Sequence, residues 1–274
     1  MLSRAVQHTP AAPITLNPKH AIVVHHMMRS GGHAILHWIA EHIADNLVFF
    51  DNLNPNSNIM DNRRTPWKLS VYRMPSTVIG NGRKWEWVYK QLNALSTQDI
   101  ECFLYSFEDR HPSTICDEIK TEQKRVILMR DPYNWIASRL KGFQGIHPKE
   151  KYKVTDDPIG MWKIHAQCCI NNTEGYIPIL YNQWFTSQQY RIELSQRLGL
   201  EHTDKGLEYV PSSGGGSSFD GRNYHMSAQQ MNVIDRWREY TNDEVFRSHI
   251  DKEMCDMSDI LFPELSHVRK ELNQ

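Results

Sequence analysis

Short apolar runs and longer segments of helical periodicity alternate along this chain. The apolar runs are rich in β-branched and aromatic residues and have the length of buried strands; they lie at 21–24, 47–50, 101–107, 126–129 and 176–181. Segments in which apolar side chains recur every three or four positions predict helices at 33–43, 132–143, 161–170, 187–198 and 227–240. This alternation predicts a three-layer α/β fold, in which a mostly parallel central sheet is covered by helices on both faces.

The length of 274 residues suits one large α/β domain, because a chain of this size buries a substantial core and no change of composition divides it. Residues 1–20 contain three prolines and little periodicity, so we expect an irregular lead-in there and a single domain over 21–274. The run SSGGGSS at 212–218 has the composition of a flexible loop.

The charges nearly balance, with 31 Lys and Arg against 32 Asp and Glu and a formal net charge of -1. No global basic field is present, so we expect no nucleic-acid partner, and any anion site must be local.

The apolar runs are far shorter than the ~20 residues of a membrane span, and the first residues lack a signal-peptide pattern, so we expect a cytoplasmic protein. Five cysteines without a C-x-x-C pair indicate neither a disulfide framework nor a zinc ribbon. His33 and His37 lie one helical turn apart, but no third ligand is identifiable, so no metal is expected.

Ser30, Gly31 and Gly32 stand where the first strand gives way to the first helix. Glycine permits a positive φ and a close approach of the backbone to a ligand. The start of the helix presents unpaired N–H groups and the positive end of its dipole at the same place. Such a junction is an anion site, most naturally for phosphate or sulfate, to which Arg29 and Ser30 add donors.

A second junction follows in the stretch RVILMRDPYNWIASRL at 125–140. Asp131 has the position of an N-cap, and Pro132 that of the first helical residue. Arg130 is therefore expected at the carboxyl end of a strand, beside a helix N-terminus. Ser138, two turns into that helix, can lie on the side that faces Arg130.

These stretches resemble the sulfotransferase family. HHMMRSGGH resembles the loop that holds the 5′-phosphosulfate of 3′-phosphoadenosine-5′-phosphosulfate (PAPS), and RVILMRDPYNWIASRL resembles the strand, loop and helix that grip its 3′-phosphate. ILYNQWFTSQQYRIELSQRLGL is similar to the strand and helix whose tyrosine reaches the adenine, and SSFDGR lies where a late loop closes over the nucleotide. The resemblance implies a P-loop-like sulfotransferase fold and PAPS as donor, with the bisphosphate PAP as product and no metal. The binding residues it implies are Arg29, Ser30, Gly31, Gly32 and His33 for the 5′-phosphosulfate, Arg130 and Ser138 for the 3′-phosphate, Tyr181 for the base, and Phe219 and Arg222 from the closing loop.

The chain departs from the family pattern at four of these positions. Gly32 and His33 stand where many members have threonine or serine, and Ala34 stands where they have an aromatic residue against the adenine. Asn182 replaces the customary acidic residue after the tyrosine.

The activity implied by the resemblance is in-line transfer of a sulfuryl group to a hydroxyl or amine acceptor, for which a carbohydrate is one candidate. By analogy with phosphoryl transfer, catalysis is positioning and charge stabilisation, which Arg29 and a helix N-terminus can supply, together with a general base. Three residues are candidates for the base. Glu108 follows the strand that corresponds to the one with a catalytic histidine in cytosolic members, Asp51 lies about where heparan-type members carry a glutamate, and His111 has the most suitable unperturbed pKa. We favour Glu108, and the other two stay open.

Two other functions are compatible with a strand, a glycine turn and a helix. A P-loop kinase or nucleoside triphosphatase would normally have G-x-x-x-x-G-K-[ST], but here Gly32 is followed by His33 and Ala34, with no lysine. A non-enzymatic nucleotide-binding module would bind without turnover. For the acceptor, Trp85, Trp87 and Trp184 near basic residues suit a sugar or an anionic polysaccharide.

Overall fold

The computed structural model describes residues 18–43, 47–53, 69–73, 77–82, 100–116, 119, 121–150, 153–173, 175–211 and 216–272, with the backbone alone at 69–73 and 77–82. The predicted lead-in up to residue 17, the tryptophans Trp85 and Trp87, and loop residues 212–215 lie outside the described residues.

Seven strands of the described residues form one sheet: β1 (His20–His26), β2 (Leu47–Phe50), β3 (Leu69–Arg73), β4 (Thr77–Gly82), β5 (Cys102–Glu108), β6 (Gln123–Met129) and β7 (Tyr176–Leu180). Their order is β4-β3-β2-β5-β1-β6-β7. The five neighbouring strands β2-β5-β1-β6-β7 are parallel to one another, whereas β3 and β4 extend the sheet beyond β2 as antiparallel strands. The predicted mostly parallel sheet is therefore confirmed.

The α-helices of the described residues are α1 (Gly32–Glu41), α2 (Pro132–Phe143), α3 (Pro158–Ile170), α4 (Tyr181–Thr186), α5 (Gln188–Leu198), α6 (Glu244–Ser248), α7 (Lys252–Leu261) and α8 (Ser266–Glu271). Alternate residues of β6 face two different cores. Val126 and Leu128 pack with α1, α4 and α5, and Ile127 and Met129 pack with α2, α3 and α7. Helices thus cover both faces, as predicted. Within the described ranges, no helix has the length and apolar character needed to cross a membrane.

The junction of β6 and α2 forms as its sequence predicts. Asp131 is the N-cap, its Oδ1 accepts a hydrogen bond from the backbone N of Asn134 at 2.8 Å, and Pro132 is the first residue of the helix. Arg130 consequently lies at the carboxyl end of β6, where ligands bind in parallel sheets.

The predicted helix over 227–240 is wrong. Two short 3-10 turns stand there instead, Ala228–Gln230 and Arg236–Tyr240. Between them, the Val233 carbonyl accepts a hydrogen bond from Arg130 Nη2 at 2.6 Å, and the Ile234 carbonyl accepts one from Asn134 Nδ2 at 2.8 Å. Because side chains at the start of α2 bind these carbonyls, tertiary contacts override the local periodicity.

Candidate active site

The turn between β1 and α1 presents backbone groups to the ends of the strands. Gly31 is the N-cap of α1 with φ of 94°, and no side chain caps this helix end. A Cβ atom on Gly31 would collide with the ring of Tyr181, and one on Gly32 would collide with the imidazole of His26. Both glycines are therefore required for close packing, and the first N–H groups of α1 stay available to an anion.

A cavity of about 410 Å³ opens beside this turn, at the carboxyl ends of β1, β2, β5 and β6. This volume lies within the range of about 300–1,000 Å³ found for small-molecule sites. Most of the predicted site residues line it: Arg29, Gly31, Gly32, His33, Asp51, Glu108, Arg130 and Tyr181. The structure thus brings together residues that lie far apart in the sequence.

The buried guanidinium of Arg130 is held at one end of the cavity. Its Nη1 donates to Ser138 Oγ at 3.1 Å and to the Arg29 carbonyl at 3.2 Å. Its Cζ lies 5.1 Å from the ring centroid of Tyr181. Arg130 Nε is buried and has no hydrogen-bond partner among the described residues. The structure therefore places Arg130, Ser138 and Tyr181 together, as the resemblance implies.

Arg236 is a site residue that sequence reasoning missed. Its Nη2 donates to Ser217 Oγ at 2.8 Å and to Asp220 Oδ2 at 3.1 Å, and its Nη1 donates to Ser138 Oγ at 3.5 Å. Burial and the charge of Arg130 lower the pKa of Arg236 to about 10. Its position depends on the irregular segment after Met231, for which the local sequence carries no signal.

The closing loop is placed differently from the expectation. Arg222 is exposed and does not line the cavity, whereas Arg236 does. Phe219 also lies outside the cavity lining; its ring centroid is 4.8 Å from Arg236 Cζ and 5.3 Å from Lys141 Nζ. Ser218 Oγ accepts a hydrogen bond from Arg29 Nε at 2.6 Å, which ties the loop to the glycine turn.

The hydrogen-bond donors around Arg130 fit a ligand with two anionic groups. Burial lowers the pKa of Arg29, Arg130 and Arg236, since gathering three cations away from water is unfavourable. Arg236 Nε, Arg130 Nε and the hydroxyl of Ser30 are buried without a hydrogen-bond partner among the described residues. Bound phosphate or sulfate oxygens would relieve both penalties. PAPS, with its 3′-phosphate and 5′-phosphosulfate, has the required charges.

Two carboxyl groups, those of Glu108 and Asp51, also line the cavity. Burial raises the pKa of Glu108, at the end of β5, to about 8. Burial also favours the neutral form of Asp51, but the charge of His33, whose Nε2 lies 3.0 Å from Asp51 Oδ2, and the hydrogen bonds from His33 and Ser106 act together against it and lower the pKa of Asp51 to about 2. Conversely, burial disfavours the charged form of His33, but the charge and hydrogen bond of Asp51, together with the charge of Glu108, raise its pKa. One cavity thus holds a carboxyl group of high pKa beside an ion pair.

His111 is not brought to the cavity. It is exposed, and its Nδ1 lies 2.7 Å from Ser113 Oγ. The chain turns away after Glu108 because Asp109 has φ of 53° and is buried against Arg139, whose Nη1 lies 3.2 Å from Asp109 Oδ2. Asp109 Oδ1 also accepts from the backbone N of Met28 at 2.8 Å, which joins the end of β5 to the glycine turn.

The histidine pair considered for a metal has other contacts. His33 binds Asp51, and the ring of His37 lies 5.1 Å from that of Tyr209. Across the residues that the structure describes, no group of three or more His, Cys, Asp or Glu side chains is arranged to hold a metal ion.

The pH dependence of the free energy of unfolding is expected to reflect the buried carboxyl group of Glu108 and three buried histidines. Burial lowers the pKa of His25, His26 and His165 to about 3, 4 and 4, so the unfolded state binds more protons below pH ~6.5 and the free energy of unfolding rises with pH up to there. Glu108 acts oppositely: its raised pKa means that the folded state holds the extra proton up to about pH 8, so stability falls as the pH rises from ~4.5 to 8. Below ~6.5 three histidines outweigh one carboxyl, and we expect maximal stability near pH 6.5.

Urea denaturation of wild type and Glu108→Gln between pH 5 and 9 measures this effect. The difference in free energy of unfolding, variant minus wild type, is expected to increase by up to about 1.4 kcal/mol per pH unit through the range in which Glu108 ionises. Parallel curves for the two proteins would show that Glu108 has an ordinary pKa.

Comparison with protein-family models and with curated protein sequences found no match. Among solved structures, the chain is similar to the sulfotransferase domain from the curacin biosynthetic pathway, with 14% identity and a TM-score of 0.50 over 90% of this chain and 98% of that one. A mouse sulfotransferase complexed with PAP matches with 12% identity and a TM-score of 0.44 over 95% of this chain and 90% of that one. The first similarity, together with the parallel sheet and its glycine turn, establishes that this chain has the sulfotransferase fold.

Proposed function

We propose that this chain is a sulfotransferase that moves a sulfuryl group from PAPS to a hydroxyl or amine acceptor. The observation that carries the proposal is that one cavity is lined both by the guanidinium groups of Arg29, Arg130 and Arg236 and by the carboxyl group of Glu108. Arg130 and Arg236, which share Ser138 Oγ, are the proposed partners of the 3′-phosphate.

The glycine turn is the proposed site of the 5′-phosphosulfate. The N–H groups at the start of α1 and the guanidinium of Arg29 would bind its oxygens, and Tyr181, packed on Gly31, would contact the base. The bound donor supplies the sulfuryl group. Ser30 is buried outside the cavity lining, and its hydroxyl, which has no hydrogen-bond partner within the described ranges, is a further proposed donor to the 5′-phosphosulfate.

Glu108 is the proposed general base. It lies in the same cavity, and a carboxylate whose pKa is about 8 takes a proton more readily than an ordinary one. As the acceptor oxygen forms its bond to sulfur and the bond from sulfur to the 5′-phosphate oxygen breaks, Glu108 receives the acceptor's proton. Asp51 is less suited to this role because its carboxylate is held ionised by His33.

The acceptor class stays a proposal. The tryptophans that suggested a carbohydrate lie at 85 and 87, outside the described residues, and Trp184 packs against Tyr181 at a centroid distance of 5.5 Å. Trp184 therefore belongs with the nucleotide side of the cavity.

Calorimetric titration with PAP, and separately with ATP and magnesium, tests the proposal. We expect PAP to bind at least tenfold more tightly, because two separated anionic groups match the two clusters of donors. Transfer from radiolabelled PAPS to a panel of alcohols, phenols, amines and monosaccharides then tests turnover. Tighter binding of ATP with magnesium would favour the kinase, and PAP binding without transfer to any member of a broad panel would favour a binding module.

A further inference from the structure

His33 lines the same cavity as the arginines and Glu108. It is in the first turn of α1, next to the N–H groups of the anion site, and its side chain is 27% exposed. Its Nε2 is bound to Asp51 Oδ2 at 3.0 Å. Nδ1 has no hydrogen-bond partner among the described residues, which makes it the nitrogen available to a ligand in the cavity that His33 lines.

Asp51 is fixed as a partner of His33. Its second oxygen, Oδ1, accepts from Ser106 Oγ at 3.2 Å, and the same hydroxyl accepts from the backbone N of Asn52 at 2.8 Å. Since both carboxylate oxygens are engaged and the side chain is 12% exposed, Asp51 is a fixed negative charge behind the imidazole. This arrangement orients a histidine, as the carboxylate does in a hydrolase triad.

The charges that face His33 come from four parts of the fold. Asp51 at the end of β2 and Glu108 at the end of β5 favour its protonation, whereas Arg29 in the turn opposes it. The ring of His26 from β1 lies 6.5 Å away and is held neutral by burial, which lowers the pKa of His26 to about 4. The nearest charge is that of Asp51, whose contact with Nε2 raises the pKa of His33 and favours its imidazolium form.

We propose that the His33 imidazolium is a catalytic residue, which binds the 5′-phosphate oxygen at the bond that breaks, and that Asp51 is its positioning residue. This inference rests on the sulfotransferase function proposed above. The acceptor oxygen bonds to sulfur, the bond from sulfur to the 5′-phosphate oxygen breaks, and its electron pair stays on that oxygen. The proton goes to Glu108. His33 keeps its proton and donates a hydrogen bond from Nδ1 to the oxygen that gains charge.

The test is calorimetric titration with PAP between pH 6 and 9, on wild type, His33→Gln, His33→Lys and Asp51→Asn. We expect His33→Gln to weaken PAP binding about tenfold to a hundredfold near neutral pH, the usual range for one charged hydrogen bond. The loss is expected to shrink as the pH rises and wild-type His33 becomes neutral. Because the phosphates of PAP titrate near pH ~6 in every variant, the difference from His33→Gln isolates the histidine.

The other variants separate charge from shape. His33→Lys is expected to bind PAP within about fivefold of wild type at neutral pH, and to keep that affinity at higher pH, because lysine stays protonated. Asp51→Asn is expected to lower the pKa of His33, which NMR titration of the histidine ring measures without turnover. His267→Gln, on the exposed side of α8, is the matched control.

Each remaining outcome has one meaning. If wild type binds PAP and His33→Gln binds equally well across the pH range, the inference is wrong and the proposed function stands. If His33→Gln retains PAP binding but loses transfer together with the acidic limb of the pH profile, His33 is a base, and the inference is again wrong. Failure of wild type to bind PAP contradicts the proposed function itself.

Discussion

Arg130→Ala is expected to weaken PAP binding about a hundredfold to a thousandfold, because two or more charged hydrogen bonds to a phosphate are lost at ~1.5–3 kcal/mol each. Arg130 is 3% exposed, and its Nε has no partner among the described residues, so the group is held ready for a ligand. ATP with magnesium has no 3′-phosphate, and its affinity is expected to change much less. The preference for PAP over ATP is therefore the measured quantity.

Controls distinguish this effect from a loss of folding. Arg130 also binds the Val233 carbonyl at 2.6 Å, so Arg130→Ala is expected to lower the melting temperature as well. Arg130→Lys retains a cation but not the guanidinium fork, and an intermediate affinity is expected. Arg238→Ala, on the same 3-10 turn as Arg236 but 52% exposed, is expected to leave PAP binding unchanged. A folded Arg130→Ala that binds PAP within threefold of wild type would place the 3′-phosphate elsewhere.

Local sequence predicted the parts of the site that local structure builds. The glycine turn at Gly31 and the capped helix after Arg130 depend on φ preferences, an N-cap and a strand-to-helix change of period, all of which are written within a few residues. Because the carboxyl ends of parallel strands meet at one edge, the strand order then places both junctions at the same cavity.

The rest of the site depends on contacts between distant segments. Arg236 reaches the cavity because the side chains of Arg130 and Asn134, about a hundred residues away in sequence, bind carbonyl groups of the segment before it. The helical periodicity of that segment therefore gave a wrong prediction. The pairing of His33 with Asp51 joins α1 to β2 and carries no motif. His111 was a reasonable candidate by pKa alone, but the turn at Asp109 directs it to the surface.

The arginines and the glutamate that line the cavity have complementary electrostatic roles. Cations at Arg29, Arg130 and Arg236 are unfavourable together until an anion binds, so nucleotide binding compensates a penalty already present in the fold. Glu108 titrates instead in a buried acidic setting, where a neutral carboxyl is favoured.

Glu108→Gln is expected to lower kcat about a hundredfold to ten-thousandfold, the usual contribution of a general base, and to leave PAP binding within about twofold of wild type. Glutamine keeps the size of the side chain but accepts no proton, so folding is retained while proton transfer is lost. The assay is sulfuryl transfer from PAPS to the best aliphatic alcohol of the acceptor panel. His111→Gln is the matched control and is expected to retain wild-type kcat, since His111 is exposed outside the cavity.

The pH profile and the acceptor series identify the base. Glu108 must be ionised to accept a proton, so wild-type kcat/KM is expected to rise with pH towards about pH 8, where the pKa of Glu108 lies, and Glu108→Gln is expected to lack this rise. The loss on Glu108→Gln is expected to be smaller with a phenol than with an aliphatic alcohol, because a phenol, with a pKa near ~10, needs less help to lose its proton. Equal losses for both acceptors would mean that Glu108 positions the acceptor, and the proton would then have to leave by another group of the cavity.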